Sequence, residues 1–124
     1  MLHRIYAESP HREQIRMKNN QIAYTIENHK KFKRVKIKFG DEIAEKCRFF
    51  NGEHLQVDWE DHDRLLYIYR ADTGYLLMKP KNQKWFIMFV MPKKCSLPAV
   101  KKLFNNILID GQKRITLDFS LIKI

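Results

Sequence analysis

The chain has 124 residues, of which 44% are hydrophobic and 31% charged, and Lys plus Arg exceed Asp plus Glu by ten. That length buries a single core without help from a metal or a disulfide, and the composition is that of an ordinary globular protein rather than a fibrous or low-complexity chain. The longest apolar run, Trp85 to Met91, is too short to span a bilayer, so no membrane partner is expected; the opening MLHRIYAESPHRE lacks the apolar core of a secretory signal, which makes the cytoplasm the expected compartment.

The charge is segregated. Residues 1–38 carry a net +7, residues 39–75 a net −5 and residues 76–124 a net +8. An excess of this size attracts polyanions, so nucleic acid, an acidic protein surface or anionic lipid are the partner classes it favours. Cys47 and Cys95 stand apart without a CxxC or Cys/His ligand spacing, and both read as small core residues.

Residues 1–33 read as a basic N-terminal arm or hairpin, and residues 34–124 as a single β-rich domain. Ser9-Pro10 before Glu13, with Ile15, Ile22 and Ile26 at helical spacing, fits a helix; Asn19-Asn20 between two short alternating runs fits a hairpin turn better. The run His29-Lys30-Lys31-Phe32-Lys33 then leads into the clearest strand. From Arg34 to Phe39 the alternation is strict: Val35, Ile37 and Phe39 fall on one face, and Arg34, Lys36 and Lys38 on the other, roughly 6.5–7 Å apart. Such a row repels itself unless an anion meets it. Backbone phosphates would serve, and so would cross-strand carboxylates from the acidic middle segment.

Gly40-Asp41-Glu42 predicts a helix start capped by Asp41, with Ile43, Ala44, Cys47 and Phe50 as the buried stripe and Asn51-Gly52 as the stop. Leu55, Val57 and Trp59 alternate inward on the next strand. After the polar tip Glu60-Asp61-His62-Asp63 the chain returns along Arg64 to Arg70, which makes a hairpin. The cluster Asp58-Trp59-Glu60-Asp61-His62-Asp63 reads as a solvated turn rather than a metal site, because adjacent turn residues point apart. Ala71 to Gly74 turns into a short strand, Tyr75 to Met78. Trp85 to Met91, apolar on both faces, reads as a central strand covered on two sides. Ser96 with Pro98 just inside predicts a second short helix carrying Val100, Leu103 and Phe104. Asp110-Gly111 predicts a type I′ hairpin between Ile107–Ile109 and Gln112–Phe119. The expected fold is therefore α+β and mainly β: a small antiparallel sheet or barrel with two short helices. The order strand, helix, hairpin recurs from Arg34–Tyr69 to Trp85–Phe119, as in a degenerate repeat.

Val35 to Ile68 resembles the swapped-hairpin fold of AbrB-type transition-state regulators and MazE-type antitoxins, which run strand RVxI, a short helix, a G-D turn and a hairpin. The residues that carry the likeness are Ile43 to Phe49, Asn51-Gly52-Glu53 and Leu55-Gln56-Val57, with Arg34 at the position of the arginine before the family's strand. A looser likeness links Gly-Asp-Glu before the helix to small phage or prophage proteins. The first resemblance implies a homodimer that exchanges hairpins and binds DNA. The connection before the helix is two residues longer than the family's and lacks its proline, and Ala44 and Glu45 replace a basic pair in the helix, which moves the expected contacts onto the strand. Lys30, Lys31, Lys33, Arg34, Lys36 and Lys38 are accordingly the expected phosphate contacts, with Lys101, Lys102, Lys113 and Arg114 as a second patch. The leading expectation is a DNA-binding regulator or antitoxin-like factor that needs no cofactor. The alternative is a protein-binding accessory or inhibitor module whose basic surface meets an acidic partner. No nucleophile, Walker or HExxH motif points to an enzyme, and His3, His11, His29, His54 and His62 form no ligand pattern.

Overall fold

The computed structural model describes residues 17–105 and 107–121, which form two antiparallel sheets and one short helix. The first sheet contains β1 (Ile22–Asn28), β2 (Phe32–Phe39), β6 (Trp85–Pro92) and β7 (Lys102–Phe104), in the order β6-β2-β1-β7. The second contains β3 (His54–Glu60), β4 (Leu65–Arg70), β5 (Tyr75–Leu76), β8 (Leu108–Ile109) and β9 (Ile115–Asp118), in the order β5-β3-β4-β9-β8. Neither sheet closes on itself, so the barrel reading is corrected to two open sheets. Inward residues of both enter one core: Ile22, Val35, Ile37, Phe39 and Ile87 from the first, Leu55, Leu66, Ile68, Ile115 and Leu117 from the second. Phe119 sits at the aromatic centre, edge-on to Tyr24 (4.9 Å), Phe104 (4.9 Å) and Trp59 (5.5 Å).

Ile22 to Asn28, which the sequence places in the arm or hairpin, is an interior strand flanked by β2 and β7. The other arm of that hairpin, from Gln14, lies largely outside the described residues. Gly40 joins β2 to the helix against the 18–19 backbone: its N–H donates to the Gln21 carbonyl (2.8 Å), and a Cβ there would stand 2.1 Å from the Asn19 oxygen. Only glycine fits.

The helix, α1 (Asp41–Cys47), has Gly40 rather than Asp41 at its N-cap and ends sooner than the sequence suggests. Arg48 takes the left-handed conformation (φ 57°), Phe49 N–H donates to the Ala44 carbonyl (2.9 Å), and Phe50 is left 59% exposed. A long-range clamp holds this end. The Arg70 guanidinium donates to the carbonyls of Cys47 and Arg48, both at 3.0 Å, and to the buried Glu53 carboxylate, which also accepts the Phe50 N–H (2.8 Å). Arg70→Met leaves Glu53 buried and unpaired and should lower the unfolding free energy by about 2–3 kcal/mol in urea titration; the double variant with Glu53→Gln should recover part of that loss.

The second helix is also corrected. Leu97 and Pro98 are buried in an irregular, non-helical segment that bends at Leu97, the Tyr24 hydroxyl donates to the Pro98 carbonyl (2.8 Å), and Lys102–Phe104 is strand β7. Val100, Leu103 and Phe104 mimic helical spacing, but Phe104 turns inward to Phe119 while Leu103 lies on the opposite face. The last hairpin does not use a two-residue turn. Its loop runs through residues 110–114 with Lys113, not Gly111, left-handed (φ 66°), and the Asp110 carboxylate accepts the N–H groups of Gln112 (2.9 Å) and Arg114 (3.0 Å). The hydrogen bond from the Arg114 N–H, helped by that from Gln112 and the Arg114 charge, holds the Asp110 carboxyl below its ordinary value. The loop's stabilisation is therefore complete above the unfolded value of 3.8 and lost as pH falls through the lower folded value. The amide signals of Gln112 and Arg114 should titrate below pH 3.8.

Candidate functional site

The strict alternation of β2 puts Arg34, Lys36 and Lys38 on the outer face of the first sheet. Their neighbours on β1 are Glu27, Thr25 and Ala23, and on β6 Val90, Met88 and Phe86. Of these six neighbours only Glu27 is a carboxylate, and it lies 3.8 Å from Arg34 at one end of the row. Most of the acidic middle segment folds into β3, β4 and their tip on the other sheet; of its carboxylates, Asp41 at the start of α1 is the one that reaches the Lys38 end of the row. Lys36 Nζ lies 4.4 Å over the Phe86 ring, and partial burial, then Lys38, hold its ammonium below the ordinary lysine value despite Glu27.

At the Lys38 end the row opens into a cleft of about 560 Å³ lined by Lys36, Lys38, Lys79, Lys84, Asn82, Gln83, Phe86 and a single carboxylate, Asp41. Two backbone hydrogen bonds between Met78 and Phe86, both 2.9 Å, bring residues 79–84 over the end of β6. Asn82 is left-handed (φ 62°) and Gln83 N–H donates to the Pro80 carbonyl (3.1 Å), which closes the turn. Lys79 is fixed through its own N–H to Asn51 Oδ1 (3.1 Å). Lys84 Nζ reaches Asn19 Oδ1 (3.1 Å) and lies 3.9 Å from Asp41 Oδ2. Four lysines thus line one hollow with a single carboxylate among its described lining residues, an arrangement suited to oxyanions.

The expected contacts are only partly brought together. Arg34, Lys36 and Lys38 form the row; Lys30 and Lys31 are exposed in the β1–β2 turn at its far end. Lys33 pairs with Asn28 and Met91 and has the parity of the inner face, so it does not belong to the row. Lys101 and Lys102 lie at the β7 edge of the same sheet, whereas Lys113 and Arg114 sit in the β8–β9 loop of the other sheet. Arg114 is engaged by Asp110 (3.2 Å) and lies over the Tyr67 ring (4.8 Å). The proposed second patch is therefore split between sheets. Lys79 and Lys84 went unselected in the sequence; the available signal was the Pro80-to-Lys84 turn, which returns the chain beside its own strand. Among the described residues no group of three or more His, Cys, Asp or Glu side chains could hold a metal, and no helix is long and apolar enough to cross a membrane. Cys47 is a buried thiol whose pKa is raised by that burial, and Cys95 is a second, half-buried thiol.

No protein-family model, curated protein or solved structure matches the chain.

Proposed function

We propose that this protein binds nucleic acid, DNA in the first place, through the phosphate backbone along the outer face of the β6-β2-β1-β7 sheet, and acts as a regulator or antitoxin-like factor. The observation that carries the proposal is that Lys36, Lys38, Lys79 and Lys84 line one cleft in which Asp41 is the one acid among the described residues, continuous with Arg34 along β2. Lysines supply point charges that position a backbone; they do not read bases. Four neutralised phosphates correspond to a slope of log affinity on log salt of about −3 to −4. A mobility-shift titration of short duplex DNA between low and physiological salt measures it, and a flat response rejects the proposal.

The AbrB-type resemblance supports DNA as the target, and the strand pairing suggests how one chain would embody it. β2 lies antiparallel beside β6, and β4 antiparallel beside β9, so the strands that correspond in the suggested repeat are neighbours in both sheets. A two-fold axis through both sheets would produce this pairing. We read the chain as a degenerate repeat in which two units, the second with β7 in place of its helix, do together what two hairpin-exchanging subunits do. On that reading β4 already has both neighbours, β3 and β9, within one chain.

A further inference from the structure

The backbone edge of β6 carries a second recognition feature, beside the phosphate contacts and sharing some of their lysines. Met78 and Phe86 exchange both of their backbone hydrogen bonds, so the N–H and C=O of Phe86 point away from β2. Strand geometry repeats every second residue, hence the N–H and C=O of Met88 and Val90 point the same way. Among the described residues no backbone hydrogen bond reaches them: β2 is the only strand paired with this part of β6, and β5 approaches it through the stack of Tyr75 on Phe89 without pairing. Pro92 continues the same parity and has no N–H to lose at an open edge. The side chains of Met88 and Val90 are 40% and 57% exposed, so the open ladder and an apolar surface coincide.

An exposed edge of this kind accepts an added strand. We infer that β6 binds an extended acidic segment of a partner protein, which pairs with the backbone of Met88 and Val90. The charge around the edge selects the occupant. An added strand would lie about 4.8 Å from β6 and about twice that from β2, within reach of the long side chains of Lys36 and Lys38 on the outer face. Lys84 stands at one end of the open stretch, and the exposed Lys93 and Lys94 at the other. On the inner side the neighbours are Met91 and the stacked pair Tyr75–Phe89 (4.4 Å), so inward positions of the guest should be apolar and outward ones acidic. A second copy is disfavoured by the same charges, because antiparallel pairing of two β6 strands sets two rows of Arg34, Lys36 and Lys38 on one continuous face.

A probe is a peptide of roughly ten residues alternating valine and glutamate, about the length of a long strand. With the full chain, amide hydrogen exchange read by NMR should show Met88 and Val90 exchanging faster than Ile87 and Phe89 when free, and protected once the peptide is added. Val90→Pro removes an outward N–H without breaking a bond to β2, so it should fold and bind the peptide at least tenfold more weakly. Salt-dependent DNA binding by this variant, measured in parallel, separates the two proposals. Binding of the peptide without protection at Met88 and Val90, equal binding of polyglutamate, or unaltered affinity in Val90→Pro would overturn the inference. So would protection of these amides in the protein alone together with a dimer in light scattering.

Discussion

Replacing Lys36 and Lys38 together by glutamine should weaken DNA binding by roughly tenfold at low salt and shallow the salt slope by about 2, because two phosphate contacts are removed. Stability should move the other way. The Lys36 ammonium is disfavoured in the folded chain by partial burial and by Lys38, so its folded pKa lies below 10.5. A lysine with a lowered folded value opposes folding while protonated; the penalty is full below that value, shrinks as pH rises past it and is gone above the unfolded value of 10.5. Deleting both charges should therefore raise the unfolding free energy slightly, within about 0.5 kcal/mol for surface positions. Weaker binding with an unchanged or higher melting temperature distinguishes lost phosphate contacts from a damaged fold. As a comparison, Lys113→Gln on the other sheet should leave the slope nearly unchanged.

Gly40→Ala should destabilise the protein by about 4 kcal/mol or more, in the range that only backbone clashes and large core defects reach. The added Cβ meets the Asn19 oxygen at 2.1 Å and the Lys18 oxygen at 2.7 Å, both backbone atoms that no side-chain rotation can move. Relief requires breaking the bonds of Gly40 to Gln21 and of Glu42 to Asn19, which anchor the start of α1 against the loop before β1. Gly111→Ala is the companion measurement. A Cβ there meets nothing within 4 Å, and the left-handed residue of that loop is Lys113, so the change should be neutral or mildly stabilising through the unfolded chain. Urea denaturation of both variants reads the difference directly.

The strand β2, its two faces, the β3–β4 hairpin and the presence of α1 were legible because each depends on residues close in sequence. Period-two alternation from Arg34 to Phe39 is enough to place three cations outside and three apolar residues inside. The end of α1 was not legible, since it is set by Arg70, which reaches back from β4 to the carbonyls of Cys47 and Arg48. Trp85 to Met91 read as a central strand, yet β6 lies at a sheet edge. Phe86 is covered by Lys36 and flanked by Met78, and only Met88 and Val90 remain as exposed apolar groups on that face. The cleft escaped for a related reason: Lys79 and Lys84 join Lys36 and Lys38 only after Met78 pairs with Phe86. A list of basic residues cannot separate Lys38 in the cleft from Lys33 on the other parity of the same strand.

The most direct test of the phosphate-binding face is NMR mapping of the full chain titrated with a short DNA duplex at low salt. The largest amide and ammonium shifts should fall at Lys36, Lys38, Lys79 and Lys84, with Phe86 among the affected residues and the shifts fading as salt is added. Shifts centred instead on Lys101–Lys102 or on Lys113–Arg114, with the cleft unmoved, would contradict it.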